Sequence, residues 1–207
     1  MTDHSPRLTV ARGLQPDRLR AQLDEVAALN EVLAPFRILT GIEADILEDG
    51  SLDQEEELLG RLDVVVASVH SQLRMEPRAM TRRMVRAVAN PHTDILGHPT
   101  GRLVAGGRGR RPESSFDPAA VFAACAESGT AVEVNSRPER QDPPKRLLRL
   151  AVEAGCRLAI DTDAHAPGQL DWQLGGCERA FACGVTPDLV VNALPAAGLL
   201  AWTTRRP

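Results

Sequence analysis

Short runs rich in valine, isoleucine and leucine alternate with longer amphipathic stretches along most of this 207-residue chain, and such alternation is the pattern of parallel βα units. The apolar runs predict strands over residues 37–42, 63–69, 94–97, 131–135 and 157–162. Between them the spacing predicts helices over 16–33, 77–89, 117–128, 144–154, 174–183 and 195–202. In the first helix Leu19, Leu23 and Val26 fall on one face behind Pro16, a residue suited to a first helical turn. In the third, Asp117 stands as an N-cap before Pro118, and Gly129 suits the C-terminal turn.

Polar residues recur where those strands end: His4, Glu43, His70, His98, Asn135 and Asp163. The C-terminal ends of parallel barrel strands gather into one face, so polar residues there mark a site rather than a core. Four of the five histidines, His4, His70, His98 and His165, lie at or just after such ends. Asp163 and His165 are two apart in what reads as an extended segment, so alternation turns both to one side. Imidazoles together with Glu43 and Asp163 form a donor set that suits zinc, manganese or iron rather than calcium or magnesium alone. His92 precedes its strand and is expected at the opposite end, in a structural role.

The glycine-rich segment 100–115 carries Arg102, Arg108, Arg110 and Arg111, and Arg137 and Arg140 follow Asn135. Guanidinium forks bind phosphate oxygens in pairs; a solvated loop face is the alternative for both groups. The formal net charge of −4 supplies no global attraction for nucleic acid or an anionic membrane, so any phosphate recognition must be local. Cys125, Cys156, Cys177 and Cys183 show no two-residue spacing and are expected to be buried free thiols. No apolar stretch is long enough to span a bilayer, residues 1–10 lack the features of a secretory signal, and a cytoplasmic location is expected.

The stretches Thr2-Asp3-His4-Ser5, Gly41-Ile42-Glu43-Ala44-Asp45, Ala67-Ser68-Val69-His70-Ser71, Asp94 to Arg102 with Gly97-His98-Pro99 at its centre, Glu133-Val134-Asn135-Ser136 and Thr162-Asp163-Ala164-His165 are similar, in this order, to the PHP (polymerase and histidinol phosphatase) domain. The resemblance is strongest to the version in bacterial family X DNA polymerases and related free-standing proteins. It implies one metal-dependent phosphoesterase domain over residues 1–207, a distorted seven-stranded (β/α) barrel with up to three divalent metal ions, zinc, manganese or iron, that hydrolyses phosphoesters with metal-activated water. By that resemblance Glu43 bridges two metals, His70 and His98 complete one of those sites, Asp163 ligates a second, and His4 and His165 belong to a third. Glu43, Asp163 and His165 are implied as catalytic, with Arg102 and Arg137 orienting the substrate phosphate.

The family's first motif, a His-x-His followed by Ser-Asp-Gly, has no counterpart here. The expectation is therefore a barrel lacking its first strand and helix, with the natural start of the functional protein upstream of Met1. The substrate stays open between a DNA end, a nucleotide and a small phosphorylated molecule such as histidinol phosphate. Two alternatives remain beside the phosphoesterase: a metal-binding barrel fragment without activity, and an amidohydrolase on a similar barrel, which the absence of a well-placed lysine disfavours, Lys145 being the only one.

Overall fold

The computed structural model describes residues 1–107 and 109–204; Arg108, one of the loop arginines singled out above, lies outside the described residues. Six strands form one sheet: β1 (Thr2–His4), β2 (Gly41–Asp45), β3 (Val64–Ser68), β4 (Ile95–Leu96), β5 (Ala131–Asn135) and β6 (Leu158–Asp161). They lie side by side in chain order, and every neighbouring pair is parallel. The helices are α1 (Pro16–Leu33), α2 (Glu56–Leu59), α3 (Pro77–Val88), α4 (Pro118–Ser128), α5 (Lys145–Glu153), α6 (Gln173–Phe181) and α7 (Ala196–Thr203). A parallel sheet in sequential order requires a crossover after each strand. The seven strands implied by the family resemblance are six among the described residues.

Helix boundaries follow their caps. The Glu76 carboxylate accepts the N–H groups of Arg78 and Ala79 ahead of α3, and Asp117 does the same for Ala119 and Ala120 ahead of α4. Gly129, at φ 75°, ends α4 in the left-handed conformation that glycine adopts at little cost. The strand alternation sorts each side chain onto one of two faces. Ile42, Ala44, Val65, Ala67, Leu96, Val132, Val134, Leu158 and Ile160 join the main core with Leu19, Met80, Met84, Phe122 and Leu148 of the helices. The alternate positions Ile95, Ala131 and Ala159 form a second, smaller cluster with Val64, Val66 and Val191, covered by Leu199 and Trp202 at α7. Further along the same strands, that second face turns polar at Glu43, Asp45, Glu133, Asn135 and Asp161. The site therefore rests on a plug of small apolar side chains.

At the β6 edge, Leu158 bridges to Val190 in parallel fashion. The Asn192 amide accepts the Ile160 N–H at 3.0 Å and donates to the Ile160 carbonyl at 2.6 Å, so a side chain fills the place of a strand neighbour.

Several expectations need correction. Glu43 is the third residue of β2, not its end, because the strand runs on through Ala44 and Asp45. Asp163 has φ 49°, so 163–165 is not extended; the Asp163 N–H turns back to Asp161 Oδ1 at 3.1 Å. Cys125, Cys156 and Cys183 are buried, whereas Cys177 is exposed on α6. The four-residue α2 went unforeseen, being too short to show a period. Among the described residues no helix is long and apolar enough to cross a membrane.

Candidate metal centre

Glu43 stands at the middle of the polar layer. Its Oε1 lies 3.2 Å from His70 Nε2 and 3.0 Å from His98 Nε2, and its Oε2 lies 3.3 Å from His4 Nδ1. Each imidazole arrives from a different place: His4 ends β1, and His70 and His98 follow β3 and β4 by two residues. The rings pack in sequence, with centroids 5.1 Å apart for His98 and His70, 5.4 Å for His70 and His4, and 5.8 Å for His4 and His165. Ligand atoms of His4, Glu43 and His70 lie within 4.8 Å of one another.

Backbone geometry delivers these groups. Gly97 precedes His98 where an added Cβ would stand 2.1 Å from Ser68 Oγ, so only glycine lets the β4 strand pass that close to β3. Ser68 is fully buried beneath the site. His98 itself sits at φ 20°, and its N–H is held by a short hydrogen bond to Glu133 Oε2. Asp45 Oδ1 accepts the His70 N–H at 3.0 Å and lies 3.5 Å from His70 Nδ1.

Asp163 and His165 form the other half. His165 Nδ1 lies 2.8 Å from the Asp163 carbonyl and 3.5 Å from Asp163 Oδ1. Asp163 Oδ2 receives Arg140 Nε at 3.1 Å and Asn135 Nδ2 at 3.4 Å. Arg137 Nη1 donates to the Asp163 carbonyl at 2.9 Å and comes within 3.3 Å of His165 Nδ1, with its guanidinium over the Trp172 ring. Arg102 points elsewhere: Nε donates to the Arg140 carbonyl at 3.1 Å, Nη2 to the Gln141 carbonyl, and Nη1 lies 3.5 Å from Glu113.

The electrostatics fit a cation. Burial pushes the Glu43 carboxyl up, but the facing imidazoles of His70 and His98 outweigh it and hold it well below the usual carboxylate range. Burial would lower His70, yet Asp45 and Glu43 raise it to about 9. Burial lowers His4, with Glu43 opposing. Behind them Glu133 is pushed well above its ordinary range by burial and by the nearby charges of Asp161 and Asp163. Asp161 is pushed up to about 7 by burial, despite its hydrogen bond with Glu133. The Glu43 carboxylate draws positive charge into the cluster: in the metal-free protein His70 supplies it as a protonated imidazole, and a bound cation would take that place. The nitrogen to oxygen separations around Glu43 match the edge of a tetrahedron of metal ligands, about 3.3 Å for bonds of about 2.0–2.1 Å. His4 Nδ1 is buried and makes no hydrogen bond with another described residue, as a nitrogen reserved for a metal would be. The donor set therefore fits a divalent cation such as zinc or manganese.

The sequence did not single out Asp45, Glu133 or Asp161. Their signal was acidic residues within apolar strands, with Glu133 two positions before Asn135 and Asp161 two before Asp163.

No family model matches the chain. The DNA polymerase/3′-5′ exonuclease PolX of Bacillus subtilis (strain 168) is 42% identical over 193 residues, 93% of this chain but only 33% of that protein. The chain thus spans about a third of that relative's length. A probable phosphatase of a Thermoanaerobacter species is 30% identical over 207 positions, covering 93% of this chain and 76% of that protein. The chain belongs to the PHP family. A solved histidinol phosphate phosphatase of Lactococcus lactis subsp. lactis, complexed with zinc, L-histidinol and phosphate, superposes with a TM-score of 0.53 at 16% identity, over 84% of this chain and 76% of that one. At that identity the likeness bears on the fold, and it agrees with a PHP barrel in which parallel strands present their ligands on one face.

Proposed function

We infer that this chain is a metal-dependent phosphoesterase. The single observation that carries the reading is the Glu43 carboxylate, 3.0 to 3.3 Å from nitrogens of His4, His70 and His98, in a family whose relatives include probable phosphatases and an exonuclease. Glu43, His70 and His98, with His4, would hold one divalent cation, and Asp163 and His165 face the space where a further one would sit. When bound, such a cation supplies Lewis acidity toward a phosphoryl oxygen and lowers the pKa of a water molecule.

The chain's own residues do the rest. Asp45 holds His70 in place, Glu133 holds the His98 backbone, and Arg140 and Asn135 fix Asp163. Arg137 has Nη2 uncommitted among the described residues and lies beside His165, so it orients the substrate phosphate and offsets its charge. Arg102 contributes indirectly, because its fork braces the 140–141 carbonyls of the loop that carries Arg140. The substrate is a phosphorylated small molecule, a nucleotide or a nucleic-acid end.

Chelator-treated protein, assayed with p-nitrophenyl phosphate and bis-p-nitrophenyl phosphate before and after adding zinc or manganese, tests the reading. Restored hydrolysis of either ester supports it, and the preferred ester separates monoesterase from diesterase. Absence of hydrolysis with bound metal would leave a metal-binding barrel without activity.

A further inference from the structure

Arg179 of α6 is buried, and it takes no part in the side-chain contacts around Glu43 or Asp163. Its guanidinium meets carbonyls: Nη1 donates to that of Pro143 at 2.8 Å, and Nη2 to those of Asn135 at 2.6 Å and Asp142 at 3.2 Å. Burial lowers its pKa, with the Asp142 charge opposing. Burying a charge is unfavourable, and an apolar side chain of similar volume would avoid the penalty. The worth of the fork therefore lies in what it holds together. Three residues earlier, a Cβ at Gly176 would collide with Ser136 Oγ, so α6 lies directly against the end of β5.

The carbonyls that Arg179 gathers belong to two segments, and each leads to a different half of the metal centre. Asn135 Nδ2 lies 3.4 Å from Asp163 Oδ2, and its Oδ1 accepts the Arg137 N–H at 3.1 Å. The Asp142 carboxylate is fully buried. It accepts the Thr100 N–H at 3.2 Å on each oxygen and the Thr100 hydroxyl at 2.9 Å. Thr100 stands two residues after His98, in a turn closed by the Gly101 N–H on the His98 carbonyl at 2.8 Å. The two segments also bond to each other, the Asn135 N–H donating to the Asp142 carbonyl at 2.8 Å. His98 faces Glu43, whereas Asp163 pairs with His165.

We propose that Arg179 is a positioning residue: through Asn135 and the Asp142 carboxylate it sets the His98 half of the metal centre against the Asp163 half. The inference rests on the phosphoesterase reading and adds a residue that acts on both halves from outside them. Asp142 and Thr100 are the arm that reaches His98.

The test measures zinc affinity, by competition with a chromogenic chelator, and hydrolysis of bis-p-nitrophenyl phosphate, both well below the melting temperature. Arg179→Met removes the fork and is expected to weaken zinc binding about tenfold or more and to lower kcat. Should that protein fail to fold, Arg179→Lys, which keeps the charge and loses the fork, gives a loss in the same direction. Thr100→Val removes the hydroxyl that Asp142 accepts and weakens zinc binding likewise, while Thr100→Ser keeps the hydroxyl and restores it. Phe122→Leu, in the core under α4, lowers the melting temperature and leaves zinc affinity as it was. Parent-like zinc affinity in the folded Arg179 variant or in Thr100→Val overturns the proposal. So does a Thr100→Ser protein as weak as Thr100→Val, or an equal loss in Phe122→Leu. Failure of the phosphoesterase reading shows separately, as a parent that binds zinc and hydrolyses no ester, and the zinc affinities then still decide the role of Arg179.

Discussion

Asp45 Oδ1 accepts the backbone N–H of His70 at 3.0 Å and lies 3.5 Å from Nδ1 of the same residue. One buried carboxylate thus fixes both the position of the strand end and the orientation of the ring, leaving Nε2 toward Glu43. Partners of this kind typically govern metal affinity by one to two orders of magnitude. Asp45→Asn keeps the shape and removes the charge, and it is expected to weaken zinc affinity about 10- to 100-fold. Metal competition with a chromogenic chelator reads this directly. A purely structural role for Asp45 would lower the melting temperature and leave the affinity of the folded protein unchanged.

In the metal-free protein, stability should fall as pH rises from mildly acid to alkaline. Asp161 titrates at about 7 in the folded chain against an ordinary 3.8, so the folded form retains its proton through that window and loses the advantage as pH rises across it. His70, raised from 6.5 to about 9, contributes stability that is complete below 6.5 and gone above 9. Burial pushes Glu133 in the same direction as Asp161, and His4, lowered, works the other way. Urea midpoints in chelator across this range should decline, and saturating zinc should flatten the decline. Midpoints that rise steadily toward pH 9 in chelator would contradict the charge balance described for the site.

Arg83 is 1% exposed in α3, and its fork holds the chain where both site loops begin. Nε donates to the Leu47 carbonyl at 2.9 Å and the Ile46 carbonyl at 3.1 Å, and Nη1 donates to the Ser71 carbonyl at 2.9 Å. Arg83→Met removes a charged donor from several buried acceptors, with an expected loss of about 3 kcal/mol or more. Ser71 follows His70 directly, so zinc affinity should drop as well. A variant as stable as the parent in urea would show that water replaces the fork.

Much of this was legible in the amino-acid sequence. β5 is bounded as expected, because the segment 131–135, with Ala131, Val132 and Val134 as its apolar members, lies between Gly129 and the Arg137–Gln141 turn. α1 likewise begins at Pro16, where the ring suits the first turn, and its face is set by Leu19, Leu23 and Val26. The histidines were found because strand ends in a parallel sheet gather. What escaped depends on three-dimensional burial. Arg83 reads as a surface residue in an amphipathic helix until its carbonyl partners are known. Arg102 follows the His98 strand as a site residue would, yet two carbonyls across the loop turn its fork away from the histidines.

Binding of zinc by the protein and by Glu43→Gln, measured by titration calorimetry on chelator-stripped samples alongside hydrolysis of bis-p-nitrophenyl phosphate, tests the central claim most directly. The amide keeps the size of the carboxylate and removes the charge that three imidazoles face. The account predicts at least one tightly bound ion and chelator-sensitive hydrolysis for the parent, with both lost in the variant while its fold survives. Equal zinc binding by the two proteins, or hydrolysis that persists in chelator, would contradict it.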